Sequence, residues 1–105
     1  MAIEKKYVVK DEDTIKVVYL VDAGLDDEGL NSVFGDVIEY TINSEEDLAQ
    51  IPKFEERVKE REKELKEKAV RMKKLMEKLE AMGYSRVEEE IEEINGRIIQ
   101  KFYER

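Results

Sequence analysis

The chain contains no cysteine, no histidine and no tryptophan, and it has a single proline. Without cysteine it has no disulfide framework, no thiolate metal site and no thiol nucleophile. Without histidine it lacks the commonest metal ligand and the side chain best suited to proton transfer near neutral pH. A catalytic triad of the common form is therefore impossible. We expect a protein that is not an enzyme and has no cofactor.

Long apolar runs are also missing. The longest, at residues 17–21, is five residues, whereas a membrane-spanning helix needs about 20. No signal peptide is recognisable at the start of the sequence. We therefore expect a cytoplasmic protein without a membrane span.

Charge is abundant and unevenly placed. Of the 105 residues, 44 % are charged and 41 % are apolar, and the net charge is −8. Residues 11–50 carry twelve acidic side chains and one basic, whereas residues 53–82 carry eleven basic and eight acidic. The net charge argues against a general nucleic-acid binder. The excess of glutamate and lysine is typical of proteins from heat-adapted organisms.

The first half of the chain reads as a small β-sheet. Residues 5–10 and 14–22 are rich in valine, isoleucine and tyrosine and predict a hairpin, and residues 36–43 predict a third strand. Between the second and third of these strands, Asp26 could cap a helical turn, or Gly35-Asp36 could form a hairpin turn. We favour the helical turn. Ser44 is expected to cap a further short helix.

A long helix is predicted over residues 53–82. Val58, Leu65, Met72 and Leu79 recur at intervals of seven residues, a spacing typical of coiled coils. Between its apolar positions we expect support from pairs such as Glu55 with Lys59. The start of this helix extends beyond the reach of any second helix, so we expect it to pack on the sheet.

A second helix is predicted over residues 86–103. Gly83 suits the end of the first helix, and Ser85 with Glu88 forms a capping box that starts the next. The apolar positions of the second helix follow a helical period: Val87, Ile91, Ile94, Ile98 and Phe102.

The predicted fold class is therefore α+β: a small, mostly antiparallel three-stranded sheet followed by a long antiparallel, coiled-coil-like helical hairpin. We assign residues 1–51 to an acidic β-rich subdomain and residues 52–105 to the hairpin, within a single folded domain.

Basic residues cluster near the end of the first helix. They could contact nucleic acid, or they could pair with the glutamates at residues 88–93 along the edges of the hairpin. We favour the second interpretation, because the basic side chains flank the apolar stripe. The basic candidates are Lys66, Arg71, Lys73, Lys74 and Lys78.

Some apolar side chains lie off the hairpin seam or near the sheet and are candidates for a partner interface: Phe54, Val70, Ile99 and Tyr103. We predict a non-enzymatic interaction or structural protein that forms a homo-oligomer, most simply a homodimer, through its hairpin and binds a further protein partner. One alternative is a nucleic-acid-associated regulatory protein that uses residues 66–78. Another is an acidic decoy for a basic surface of a partner protein.

Overall fold

A computed structural model describes residues 3–87 of the chain. Three strands and three helices follow one another: β1 (Ile3–Val9), β2 (Ile15–Val21), α1 (Glu28–Val33), β3 (Asp36–Ile42), α2 (Glu45–Leu48) and α3 (Ile51–Ala81). The predicted α+β class is confirmed, with a long helix after the sheet. The predicted helix at residues 86–103 lies almost entirely outside the described residues.

The sheet is antiparallel with the order β1-β2-β3, so β2 is the central strand. Ile3 lies opposite Val21, and Ile15 lies opposite Ile42. The turn between β1 and β2 is closed by a hydrogen bond from Lys10 N to the Thr14 carbonyl oxygen at 2.9 Å.

The segment between β2 and β3 forms a helix, so the hairpin alternative at Gly35 was wrong. Its cap is Asp27, whose Oδ1 accepts a hydrogen bond from Leu30 N at 3.0 Å. The predicted cap, Asp26, was one residue too early. Starting the helix after Asp27 directs Leu30 into the interior, where it is 4 % exposed.

The short helix α2 begins as predicted. Ser44 is its cap and accepts a hydrogen bond from Asp47 N through Oγ at 3.4 Å. Asp47 in turn accepts a hydrogen bond from the backbone N–H of Asn43 at 2.8 Å. The return bond of this capping box therefore reaches one residue further back than in its usual form.

The core lies between the sheet and α3. Its buried cluster consists of Tyr19, Val21, Val58 and Leu65. Phe54 packs against this cluster and stacks on Tyr40, with ring centroids 3.9 Å apart and an angle of 3° between the planes. This confirms that the start of the long helix packs on the sheet.

Two ion pairs join α3 to the strands. Lys5 Nζ lies 3.0 Å from Glu55 Oε1, and Arg61 Nε donates to Asp36 Oδ2 at 2.9 Å. Glu55 therefore pairs with Lys5 of the sheet instead of the predicted Lys59. Burial raises the pKa of Tyr19, and the nearby Glu55 carboxylate raises it further.

The chain divides into two compact units, residues 1–74 and residues 75–105. Within its described residues the first unit holds the sheet, α1, α2 and the start of α3. The predicted subdomains, 1–51 and 52–105, divide the chain elsewhere and stay a prediction. Among the helices that the structure describes, none has both the length and the apolarity to cross a bilayer.

Candidate interaction surfaces

The last turns of α3, in the second unit, expose an apolar stripe. Met76 follows Leu75 directly, and Leu79 comes four residues after Leu75 and three after Met76. This spacing places the three side chains on one side of a helix. Leu75 is 50 % exposed and Leu79 is 47 % exposed. Side chains of this size are favourable to bury, at roughly 25 cal/mol for each Å² removed from water. We name residues 75, 76 and 79 the distal stripe.

The chain turns sharply where α3 ends. Gly83 has φ of 97°, and its N–H donates to the carbonyl of Glu80 at 3.0 Å, while Tyr84 N donates to the carbonyl of Leu79 at 3.1 Å. These two bonds define a Schellman motif, which ends a helix with a left-handed glycine. The predicted helix stop at Gly83 is confirmed.

A small pocket lies beside this turn. It has a volume of about 140 Å³, and it is lined by Met76, Leu79, Glu80, Tyr84, Ser85 and Arg86. The methionine, leucine and tyrosine make its wall mainly apolar, and Tyr84 is 63 % exposed. The distal stripe and the turn therefore form one continuous apolar surface within the second unit.

The basic candidates do not share one face of the helix. At 100° per residue, Lys66 and Lys73 lie on one side of α3, and Arg71 and Lys74 lie towards the other. Lys73 is half-buried and the other three are exposed. None of the four forms an ion pair with any residue in the range 3–87. Lys78, in the second unit, is also exposed and makes no ion pair within that range.

The two apolar candidates that the structure describes have separate surroundings. Phe54 stacks on Tyr40 beside the core, and Val70 is 37 % exposed on α3. Ile99 and Tyr103 lie outside the described residues. Phe54 and Val70 thus lie apart on α3, and the role of all four candidates in an interface stays a prediction.

One surface was missed by the sequence reasoning, namely the outer edge of β1. Only β2 pairs with β1 among the described strands, yet Tyr7 is 71 % exposed and Val9 is 65 % exposed. The apolar residues of β1 were visible in the sequence, but its edge position depends on the strand order, which the sequence reasoning did not predict.

The sheet face opposite α3 also carries exposed apolar side chains. Val8 is 48 % exposed and Val37 is 56 % exposed. A pair between Lys16 Nζ and Glu39 Oε2, 3.4 Å apart, crosses the same face. This face is mixed in character, unlike the distal stripe.

Comparison with known proteins places the chain in no group: no family model, no curated protein and no solved structure matches it. Within residues 3–87, no three acidic side chains gather in a way that could hold a metal ion. The distal stripe, the basic helix end and the edge of β1 are therefore the basis on which a function can be argued.

Proposed function

We propose that this protein is a non-enzymatic, cytoplasmic interaction protein that self-associates through a helical hairpin formed by α3 and residues 86–103. The observation that carries the proposal is the exposed distal stripe, with Leu75 and Leu79 about half exposed at the end of a long helix. An apolar stripe of this kind on a helix is stabilising only when another element covers it.

The segment after the turn is the first occupant that we assign to the distal stripe. The Schellman motif at Gly83 ends α3 with a left-handed glycine, and the proposed hairpin turns at this point. The helical period of apolar residues from Val87 to Phe102 provides a matching apolar face. A tight turn between two helices of this type is typical of antiparallel helical hairpins.

Charge supports the same pairing. Residues 66–78 contain six basic and two acidic side chains, and residues 88–93 contain five glutamates. In the antiparallel register that places Leu79 beside Val87, the glutamates lie alongside residues 73–78. Opposite charges along the edges of paired helices favour this arrangement over its alternatives.

A second copy of the chain is the partner that completes the core. A two-helix hairpin buries little apolar area for its length, and pairing two hairpins into a four-helix bundle buries more. Side chains outside the seam, namely Val70, Ile99 and Tyr103, are available for this contact. A homodimer is the simplest symmetric assembly.

Two matched variants test the role of the distal stripe. Leu75→Ser with Leu79→Ser should shift the protein towards its monomer mass of 12.4 kDa in sedimentation velocity, because it removes the apolar contact. Lys63→Ser with Glu67→Ser, two exposed residues on the other side of the helix and outside residues 73–78, introduces the same number of serines and should leave the assembly unchanged. Equal behaviour of the two variants would argue against the proposal.

A nucleic-acid-associated regulatory protein is a second candidate. It is favoured by the basic side chains at residues 66–78, which form no ion pair with a described residue. Retention on a nucleic-acid column should then fall as salt rises, and Lys73→Glu with Lys74→Glu should abolish it. If the double variant instead loses its helical fold, the pairing with residues 88–93 is the better account.

A further inference from the structure

The hydrogen-bonding pattern of the hairpin shows which backbone groups of β1 are directed away from the sheet. Lys10 N donates to the carbonyl of Thr14, and these residues continue the pairing of β1 with β2. Hydrogen-bonded pairs alternate along an antiparallel ladder. The residues of β1 whose backbone groups consequently point outward are Ile3, Lys5, Tyr7 and Val9.

The side chains of these same residues lie on the face of the sheet that α3 packs against, because they are opposite Val17, Tyr19 and Val21 of β2. Tyr7 and Val9 are nevertheless 71 % and 65 % exposed. β1 therefore combines a backbone edge that no other described strand pairs with and exposed apolar side chains, a combination that promotes pairing with another strand.

The lysines of β1 would normally discourage such pairing, because charged side chains protect the edges of sheets. Here both of them have intramolecular partners. Lys5 lies 3.0 Å from Glu55 on α3, and Lys6 lies 3.7 Å from Glu4 on the same strand. Their charges are therefore partly compensated before a second strand approaches.

Two copies related by a two-fold axis would pair antiparallel. With Ile3 or Val9, the end residues of β1, on the axis, only that residue would pair within the strand, and charge discriminates between the other registers. With Glu4, Lys5 or Lys6 on the axis, that residue would face its own copy, placing like charges opposite each other. With Val8 on the axis, Lys6 would face Lys10 of the second copy. Each of these registers carries an unfavourable contact between like charges.

The register with Tyr7 on the axis has no such contact. Tyr7 then faces Tyr7, Lys5 faces Val9, and Glu4 faces Lys10 of the second copy. The outward-pointing residues meet one another, so the backbone hydrogen bonds can form, and the exposed aromatic and valine side chains are covered. We propose that β1 pairs with β1 of a second copy in this register and joins two three-stranded sheets into one continuous sheet.

Engineered cysteines provide a clean test, because the chain has none of its own. In the proposed register the Cα atoms of the two Tyr7→Cys residues would be about 5.5 Å apart, within the range of about 4.4–6.8 Å for a disulfide. Two Lys5→Cys residues would be about 14 Å apart, and so would two Val9→Cys residues. Under mild oxidation of the full chain we expect Tyr7→Cys to form a disulfide-linked dimer. We expect Lys5→Cys and Val9→Cys to form none.

The absence of cross-linking in Tyr7→Cys would overturn the proposal, as would equal or stronger cross-linking in Lys5→Cys. A second variant, Tyr7→Lys, places like charges on the axis and should remove one association step in sedimentation velocity. The contact is independent of the hairpin, so Tyr7→Cys should still cross-link when Leu75→Ser and Leu79→Ser are also present. Loss of the cross-link in that background alone would contradict an independent β1 contact.

Discussion

Tyr19 shows how a single side chain connects the sheet with α3. It is 3 % exposed, its ring lies edge-on to Tyr40 with centroids 6.2 Å apart, and Glu55 lies near its hydroxyl. Burial and the neighbouring carboxylate both disfavour the ionised phenolate. The pKa of Tyr19 is consequently raised above its ordinary value of 10.0.

This shift predicts a specific loss of stability in alkali. The folded state holds the Tyr19 proton more tightly than the unfolded chain, so the stabilisation is fully present below pH 10 and is lost as pH rises through the raised pKa. In Tyr19→Phe the fall in unfolding free energy above pH 10 should be shallower than in the wild type. Urea unfolding at several pH values measures this dependence of the unfolding free energy on pH. Tyr84→Phe, at a position 63 % exposed, is the control and should retain the wild-type slope.

Gly83 provides a second prediction at the scale of one residue. Its φ of 97° is a conformation that L residues rarely adopt, and a Cβ added there would meet no atom within 4 Å. The cost of Gly83→Ala is therefore conformational rather than steric, about 1 kcal/mol of unfolding free energy. Gly83→Asn should cost less, because asparagine tolerates this region better. Thermal unfolding followed by circular dichroism compares the two, and an alanine variant as stable as the wild type would contradict this origin of the cost.

At the scale of elements, the packing of α3 on the sheet depends on its buried side. Val58 is 1 % exposed, and Val70 on the same helix is 37 % exposed. Val58→Ala should lower the unfolding free energy by about 2 kcal/mol, because it removes two buried methyl groups and leaves a cavity. Val70→Ala removes the same atoms with the same gain in helix propensity and should change stability by less than about 0.5 kcal/mol. Chemical denaturation at low protein concentration measures the unfolding free energy of both variants. Similar losses in the two would contradict the packing of Val58 between α3 and the sheet.

Local patterns were enough to predict most of these elements. Strands at residues 5–10, 14–22 and 36–43 were expected from their β-branched and aromatic residues, and all three form within two residues of those limits. The stop at Gly83 was equally accessible, because glycine is the residue that a left-handed helix end requires. The cap of α1 was misplaced, since Asp26 and Asp27 are equivalent as sequence and only the burial of Leu30 distinguishes them.

The surfaces were harder to predict, because they depend on distant residues. Glu55 is four residues before Lys59, yet it pairs with Lys5, fifty residues away in sequence. The edge position of β1 also follows from strand order, which no local pattern encodes. The distal stripe was partly accessible, because the heptad spacing already included Leu79, whereas the exposure of Leu75 and Leu79 required the structure.

For the whole molecule, two surfaces of different chemistry both favour self-association. The distal stripe favours a contact between hairpins, and the edge of β1 favours a contact between sheets. Each contact is self-complementary, so each builds assemblies with an even number of copies. The acidic excess of residues 11–50 keeps much of the remaining surface negatively charged, which limits further association.

Self-association is the central proposal for this protein, and the molar mass of the intact chain in solution tests it most directly. Light scattering coupled to size exclusion should give an even multiple of 12.4 kDa at micromolar concentration and above, decreasing towards the monomer on dilution. A mass of 12.4 kDa at every concentration would contradict both the hairpin contact and the β1 contact.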